Sequence, residues 1–245
     1  MEDLGGTVTV KDGVLVLEEM GFTCDAARMQ LTAIYKSPRM NHLFAYVDFH
    51  LMDIQIADLI EMIPDIDTIV PMLKSFAGRA EFHFAAQTNL NANYDIKYST
   101  LRAAASISGQ DLVVLDNETF STIAKYLRFK KQTENKVDSI SVEMTVFQKN
   151  VDLYPFLVSM DKYQAIVAGH YVIGQNYDCH LSLVDSPLPA RLGLNVYGHP
   201  DKMKFKLEKP QYATLFKPEK RNVVEQETMK LKQMITQSLK ANVKE

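Results

Sequence analysis

An α+β fold dominated by β structure is what this sequence predicts: a long curved antiparallel sheet running as a meander, with amphipathic helices packed on one face and a helix at the C-terminus. Three observations predict it. Short runs of alternating apolar and polar residues follow one another along almost the whole chain, separated by Gly, Pro, Asp and Asn. Four stretches switch to helical spacing, and each opens on Asp or Asn: Asp53, Asp67, Asp116 and Asn222. With 47% hydrophobic and 23% charged residues, the chain has the make-up of an ordinary globular protein.

The first elements are strands. Residues 7–10 and 14–17 flank Asp12-Gly13, a pair that tolerates the positive φ a tight hairpin turn requires. Longer strands follow at 29–35 and 43–52, with Ser37 to Asn41 as the turn between them. In the second of these, Leu43, Ala45, Val47, Phe49 and Leu51 share one side. Helical spacing then takes over at 53–63, where Ile56, Leu59, Ile60 and Ile63 align and Pro64 stops or kinks the helix. A second helical stretch spans 67–76, with Gly78 as a stop, and strand pattern returns at 80–86 before a polar loop at 88–95.

The second half repeats that order. Strand-like runs at 100–107 and 112–115 are separated by Ser108-Gly109, read as turn chemistry, and lead into Asp116-Asn117 as a helix cap. The helix runs to about Phe129 on a stripe of Phe120, Ile123, Ala124 and Leu127. Strands follow at 139–147, 151–158, 163–171, 177–184, 191–197 and 203–207, the spacing of a meander. Asn222 with Glu225 makes a capping-box start for the last helix, along which Val224, Leu231, Ile235 and Leu239 align. A strand ending in Asp before a helix, at Asp53 and again at Asp116, is a weak internal repeat.

Charge and motif content narrow the function. A net charge of −3 argues against nucleic-acid binding, and the lysines between Lys202 and Lys220 are interrupted by Glu208 and Glu219. Two cysteines, Cys24 and Cys179, make neither a metal site nor a disulfide framework by themselves, though a bridge between them stays open. No run approaches the ~18 apolar residues of a membrane span. The N-terminus carries no leader pattern, which suits either a cytosolic chain or a piece of a longer exported one.

The search for chemistry finds little. None of the six histidines pairs at a ligand spacing, and hydrogen-bonded structural roles are expected for His50, His83 and His180 in their strand runs. No nucleophile elbow, phosphate loop or dinucleotide fingerprint occurs, so no catalytic residue, metal or cofactor is assigned. Glu61, Asp65 and Asp67 lack the glycine and oxygen spacing of a calcium loop and read as helix-end charges.

Three segments carry a resemblance: SGQDLVVLDNETFSTIAKYLRFKKQTENKVDSISVEMTVF, VDLYPFLVSMDKYQAIVAGHY and YDCHLSLVDSPLPARLGLNVYG. In order and texture they resemble the C-terminal region of the AsmA family, in the form found in Bacteroides-like gram-negative bacteria. The likeness covers about residues 5–217 and is strongest over 99–198. It implies a non-enzymatic, periplasmic, β-rich module that binds or guides phospholipid in outer-membrane biogenesis. It also implies that residues 1–217 form the AsmA-like domain, with similar halves at 1–95 and 96–217, and that 218–245 form the C-terminal helix. The family's inner-membrane anchor is not within these residues, so membrane association would run through a segment upstream.

The candidate lining of a lipid groove is Val142, Met144 and Val146 with Leu181 and Leu183, since each set projects to one side of its strand. Packed core is the competing role for each. Two other functions stay open: a protein-interaction scaffold of the cell envelope, and a hydrolase whose site is assembled from dispersed His, Asp and Ser residues.

Overall fold

The structure, a computed structural model, describes residues 2–23, 27–39, 42–62, 74, 76–114, 118–126, 136–160, 163–185, 192–199, 202–212 and, near the C-terminus, 230, 231, 233, 234 and 237. Its strands are β1 (Glu2–Lys11), β2 (Val14–Thr23), β3 (Arg28–Arg39), β4 (His42–Gln55), β5 (Phe76–Ala77), β6 (Arg79–Leu90) and β7 (Arg102–Val114) in the first half. The second half adds β8 (Lys136–Phe147), β9 (Asn150–Met160), β10 (Tyr163–Val172), β11 (Tyr177–Asp185), β12 (Gly193–His199) and β13 (Lys202–Glu208). Among the described residues two α-helices lie between strands, α1 (Ile56–Met62) and α2 (Glu118–Tyr126). All thirteen strands join one open antiparallel sheet in chain order, except that the short β5 pairs β7 beside β6.

Local chemistry explains the strand joints. Asp12 and Gly13 both take positive φ, 49° and 77°, as the β1–β2 hairpin turn requires. Within β2, β4 and β7 a single acidic residue adopts the same left-handed conformation: Glu19, Asp53 and Asp111. The register with a neighbour shifts by one residue at Glu19 and Asp53, between Leu17 and Met20 and between Leu51 and Ile54. Such bulges matter because side chains alternate between faces, so residues three apart would otherwise point to opposite sides. With the bulge at Asp53, Leu51 and Ile54 both reach the same core and neither is exposed.

That bulge also moves a boundary. The helix expected from Asp53 begins at Ile56, because β4 continues past Asp53 to pair Ile54 with Ala80. Ser108-Gly109, expected as a turn, lies inside β7, where Gly109 pairs with both Ala80 and Ile140. Phe76 sits in β5 rather than at a helix end, and Ser37 to Arg39 stay in β3. The expected helix over 67–73, the charged turn at 130–135 and the start of the C-terminal helix lie outside the described residues. Near the C-terminus the described residues from 230 to 237 are helical.

Alternation sorts the sheet into two unlike sides. One row shows it: Val8, Leu17, Ala33, Val47, Ala86, Ala103, Val146, Val151, Tyr171 and Tyr177 are successive partners across ten strands. From Ala86 to Tyr177 every member of that row is buried in the main core, with Val151 fully so. Fully burying a Val or Leu side chain stabilises by about 1.5–3 kcal/mol, so this row anchors the sheet. Ile56 and Leu59 of α1 join the same core, and the first amide of α1 bonds the Gly78 carbonyl at 3.0 Å. Ile123 of α2 packs with Leu194 and Val196. No helix among the described residues is long and apolar enough to cross a membrane.

Candidate functional site

The five groove candidates fall on the apolar side. Val142, Met144 and Val146 alternate on β8 and belong to the main core, with Met144 at 1% exposure. Leu183 is also buried, and half-buried Leu181 touches both the main core and the Ile123–Leu194–Val196 cluster. The apolar side is most open at the other end of the sheet. On β1, Leu4, Val8 and Val10 are exposed by 66%, 56% and 74%, and Val8 and Val10 pair with Leu17 and Leu15. The opposite edge differs: on β13 Lys202, Lys204 and Lys206 alternate with Met203, Phe205 and Leu207.

The second side of the sheet carries polar pairs. His50 and His83 are direct partners on β4 and β6, their rings 5.0 Å apart. His50 Nε2 lies 2.5 Å from Glu81 Oε1, and His83 Nε2 lies 2.8 Å from Asp48 Oδ1. His170 bonds Asp152 at 2.8 Å across β9 and β10. These are the structural roles expected of strand histidines. Their mutual pairing depended on register, which local sequence does not reveal. Among the described residues no group of three or more His, Cys, Asp or Glu is placed to hold a metal ion.

Ser182 and His180 are the buried polar residues of this side, at 0% and 3% exposure. The Ser182 hydroxyl accepts the backbone amides of Gln211 and Tyr212 at 2.9 and 3.1 Å, tying the chain after β13 onto β11. His180 Nδ1 bonds Asn195 Oδ1 at 3.3 Å, Tyr212 meets its ring edge-on, and Asn195 in turn donates to Asp178. Burial lowers the His180 pKa, against the opposing pull of Asn195, Glu208 and Asp178. On the opposite face, burial pushes the Cys179 thiol up to about 12, with Asp178 adding to it. That shift keeps the Cys179 thiol protonated near neutral pH. Ser182 serves as a backbone acceptor.

A cleft of about 610 Å³ opens elsewhere, at one end of β4, β6, β7, β8 and β9. Arg79, Asp53 and Glu81 stand at one wall, with Arg79 bridging to the Asp53 carboxylate at 2.9 Å and to its carbonyl at 3.0 Å. Ser108 and Gln110 of β7, Ser141 of β8 and Ser159 of β9 add hydrogen-bonding groups. Ala80, Ile140 and Leu157 supply the apolar part, and both Ala80 and Ile140 belong to the main core. At the cleft the regular ladder between β8 and β9 stops, a seam in hydrogen bonding along which the two strands stay side by side. The β8–β9 ladder runs from Phe147↔Asn150 to Met144↔Leu153 and, among the described residues, goes no further. On either side pairing continues, from β8 to β7 as far as Lys136 and from β9 to β10 as far as Met160.

Pro155 sits just past the last rung, where the β9–β10 register also shifts by one. Proline has no amide hydrogen to give a ladder, so it is confined to edges, strand starts and bulges. That proline, inside an otherwise regular strand run, was the sequence signal for the seam. Comparisons with protein-family models, with curated proteins and with solved structures find no match for this chain.

Proposed function

We propose that this chain is a non-enzymatic lipid-binding module, its apolar sheet face receiving acyl chains. One observation carries the reading: the sheet is apolar along one side from β1 to β11, buried over its middle and exposed at Leu4, Val8 and Val10. A face of that width that ends exposed at one edge suits an elongated apolar ligand. On this reading the sheet curves around that face, α1 and α2 pack against it, and the C-terminal helix lies on the outside. The resemblance to the AsmA family supplies the setting: a periplasmic part of a longer inner-membrane-anchored protein that guides phospholipid in outer-membrane biogenesis. Gentle purification followed by mass spectrometry tests it. Phospholipid is expected to leave with the protein, and delipidated protein that takes up no acyl chain would overturn the reading.

A second reading, a protein-interaction scaffold of the envelope, is favoured by β1, which among the described residues pairs on one side only and carries exposed apolar side chains. A partner strand paired to β1, with no lipid in the complex, would select it.

A further inference from the structure

We propose that the β8–β9 seam is the port through which an acyl chain passes from the polar side of the sheet to the apolar side. The inference rests on the lipid reading above and adds the route and the form of the ligand. To reach the packed part of the apolar face from the polar side, a ligand must cross a hydrogen-bonded sheet, and each junction resists in proportion to its ladder. Parting β7 from β8 would break a ladder that spans eleven register pairs. Beyond Met144↔Leu153 the β8–β9 junction has no described rungs to lose. Pro155 at that point cannot supply an amide to rebuild one.

The lining fits one kind of visitor. Ser108, Gln110, Ser141 and Ser159 offer hydroxyl and amide groups at the mouth, with the Arg79 guanidinium beside them. Ile140 and Leu157 flank the seam from its two strands, and Ile140 is at once a wall of the cleft and a member of the main core. A polar mouth over an apolar floor matches an amphiphile that keeps its head group in the cleft while one acyl chain threads between β8 and β9.

The test is stopped-flow uptake of a dansylated undecanoic acid by the delipidated full chain. Counting on from Met144↔Leu153 with one extra residue at Pro155 sets Ser141 against Leu157, so the pair S141C and L157C allows the seam to be locked by oxidation and freed by reduction. The oxidised protein is expected to take up the probe about tenfold more slowly than the same protein reduced, since the locked route adds to the barrier. Ser141→Trp, which fills the mouth without a cross-link, is expected to slow uptake similarly at an unchanged melting temperature. Wild-type uptake rates in both the locked protein and Ser141→Trp would overturn the port and leave the lipid reading standing. Failure of the wild-type chain to take up the probe would overturn the lipid reading, and the port with it.

Discussion

Gly193→Ala is a substitution of one methyl group whose cost can be worked from distances. Gly193 opens β12, and a Cβ built there would lie 2.6 Å from the Lys209 carbonyl oxygen and 2.8 Å from His180 Nε2. Ordinary contact begins near 3.4 Å, so each neighbour would have to retreat by more than half an ångström. Neither is free to do so. The Lys209 oxygen is backbone, two and three residues before the amides that Ser182 holds, and His180 is clamped by Asn195 and Tyr212. Overpacking of this kind costs about 1–3 kcal/mol. In a chain of this size that is a fall in melting temperature of roughly 2–12 °C. The chain has no tryptophan, so circular dichroism or tyrosine emission from its 11 tyrosines reports the transition. Gly5→Ala is the control, because nothing lies within 4 Å of its Cβ position and no change beyond about 0.5 kcal/mol is expected. Gly193→Ala melting together with Gly5→Ala and wild type would refute the placement of the post-β13 chain over His180.

Three further outcomes follow from the same packing. Burial disfavours the His180 imidazolium in the folded chain, so the unfolded chain binds that proton more readily; stability is intact above the ordinary histidine range and is lost as pH falls below about 6.5. His180→Gln should flatten that part of the stability-against-pH curve, and an unchanged slope in denaturant titrations would exclude His180 as its source. Met144→Ala should cost about 2–5 kcal/mol in urea unfolding if its nearly complete burial is packed core, and a loss under about 1 kcal/mol would mark it as groove wall instead. Leu231→Ala should remove about 2 kcal/mol or more, because Leu231 seats on the fully buried pair Ala85 and Ala104; its check is faster proteolysis near the C-terminus, and an unchanged cleavage rate would refute the contact.

The strands after Phe147 were legible because alternation and turn residues there agree, and each predicted run lies within or close to a strand of the sheet. Legibility failed where a bulge intervened. The helical stripe of Ile56, Leu59 and Ile60 belongs to a real helix, but its start was read at Asp53, because the left-handed bulge that lets β4 run on to pair Ile54 with Ala80 leaves no mark in local apolar spacing. Ser108-Gly109 was read as a turn on residue type alone, but both pair on either side within β7. The groove candidates were readable as one face of β8 and one face of β11, since alternation alone places them. The cleft was not, because Arg79, Ser108, Ser141 and Ser159 come from four strands and meet only through register. Pro155 was the one local mark of it.

Strand order equal to chain order has a consequence for how the molecule is made. Apart from β5, each strand's sheet partners are the strands just before and after it, so no rung waits for a distant part of the chain to be synthesised. Loop-closure entropy per added strand is therefore small, and contact order is low for an all-strand sheet of this width. Assembly can proceed as a zipper from any hairpin, the Asp12-Gly13 one among them, and each later strand can add as it leaves the ribosome. Among the described residues the strands at the two ends of that order, β1 and β13, gain a partner on one side only, and β13 carries its alternating lysines there.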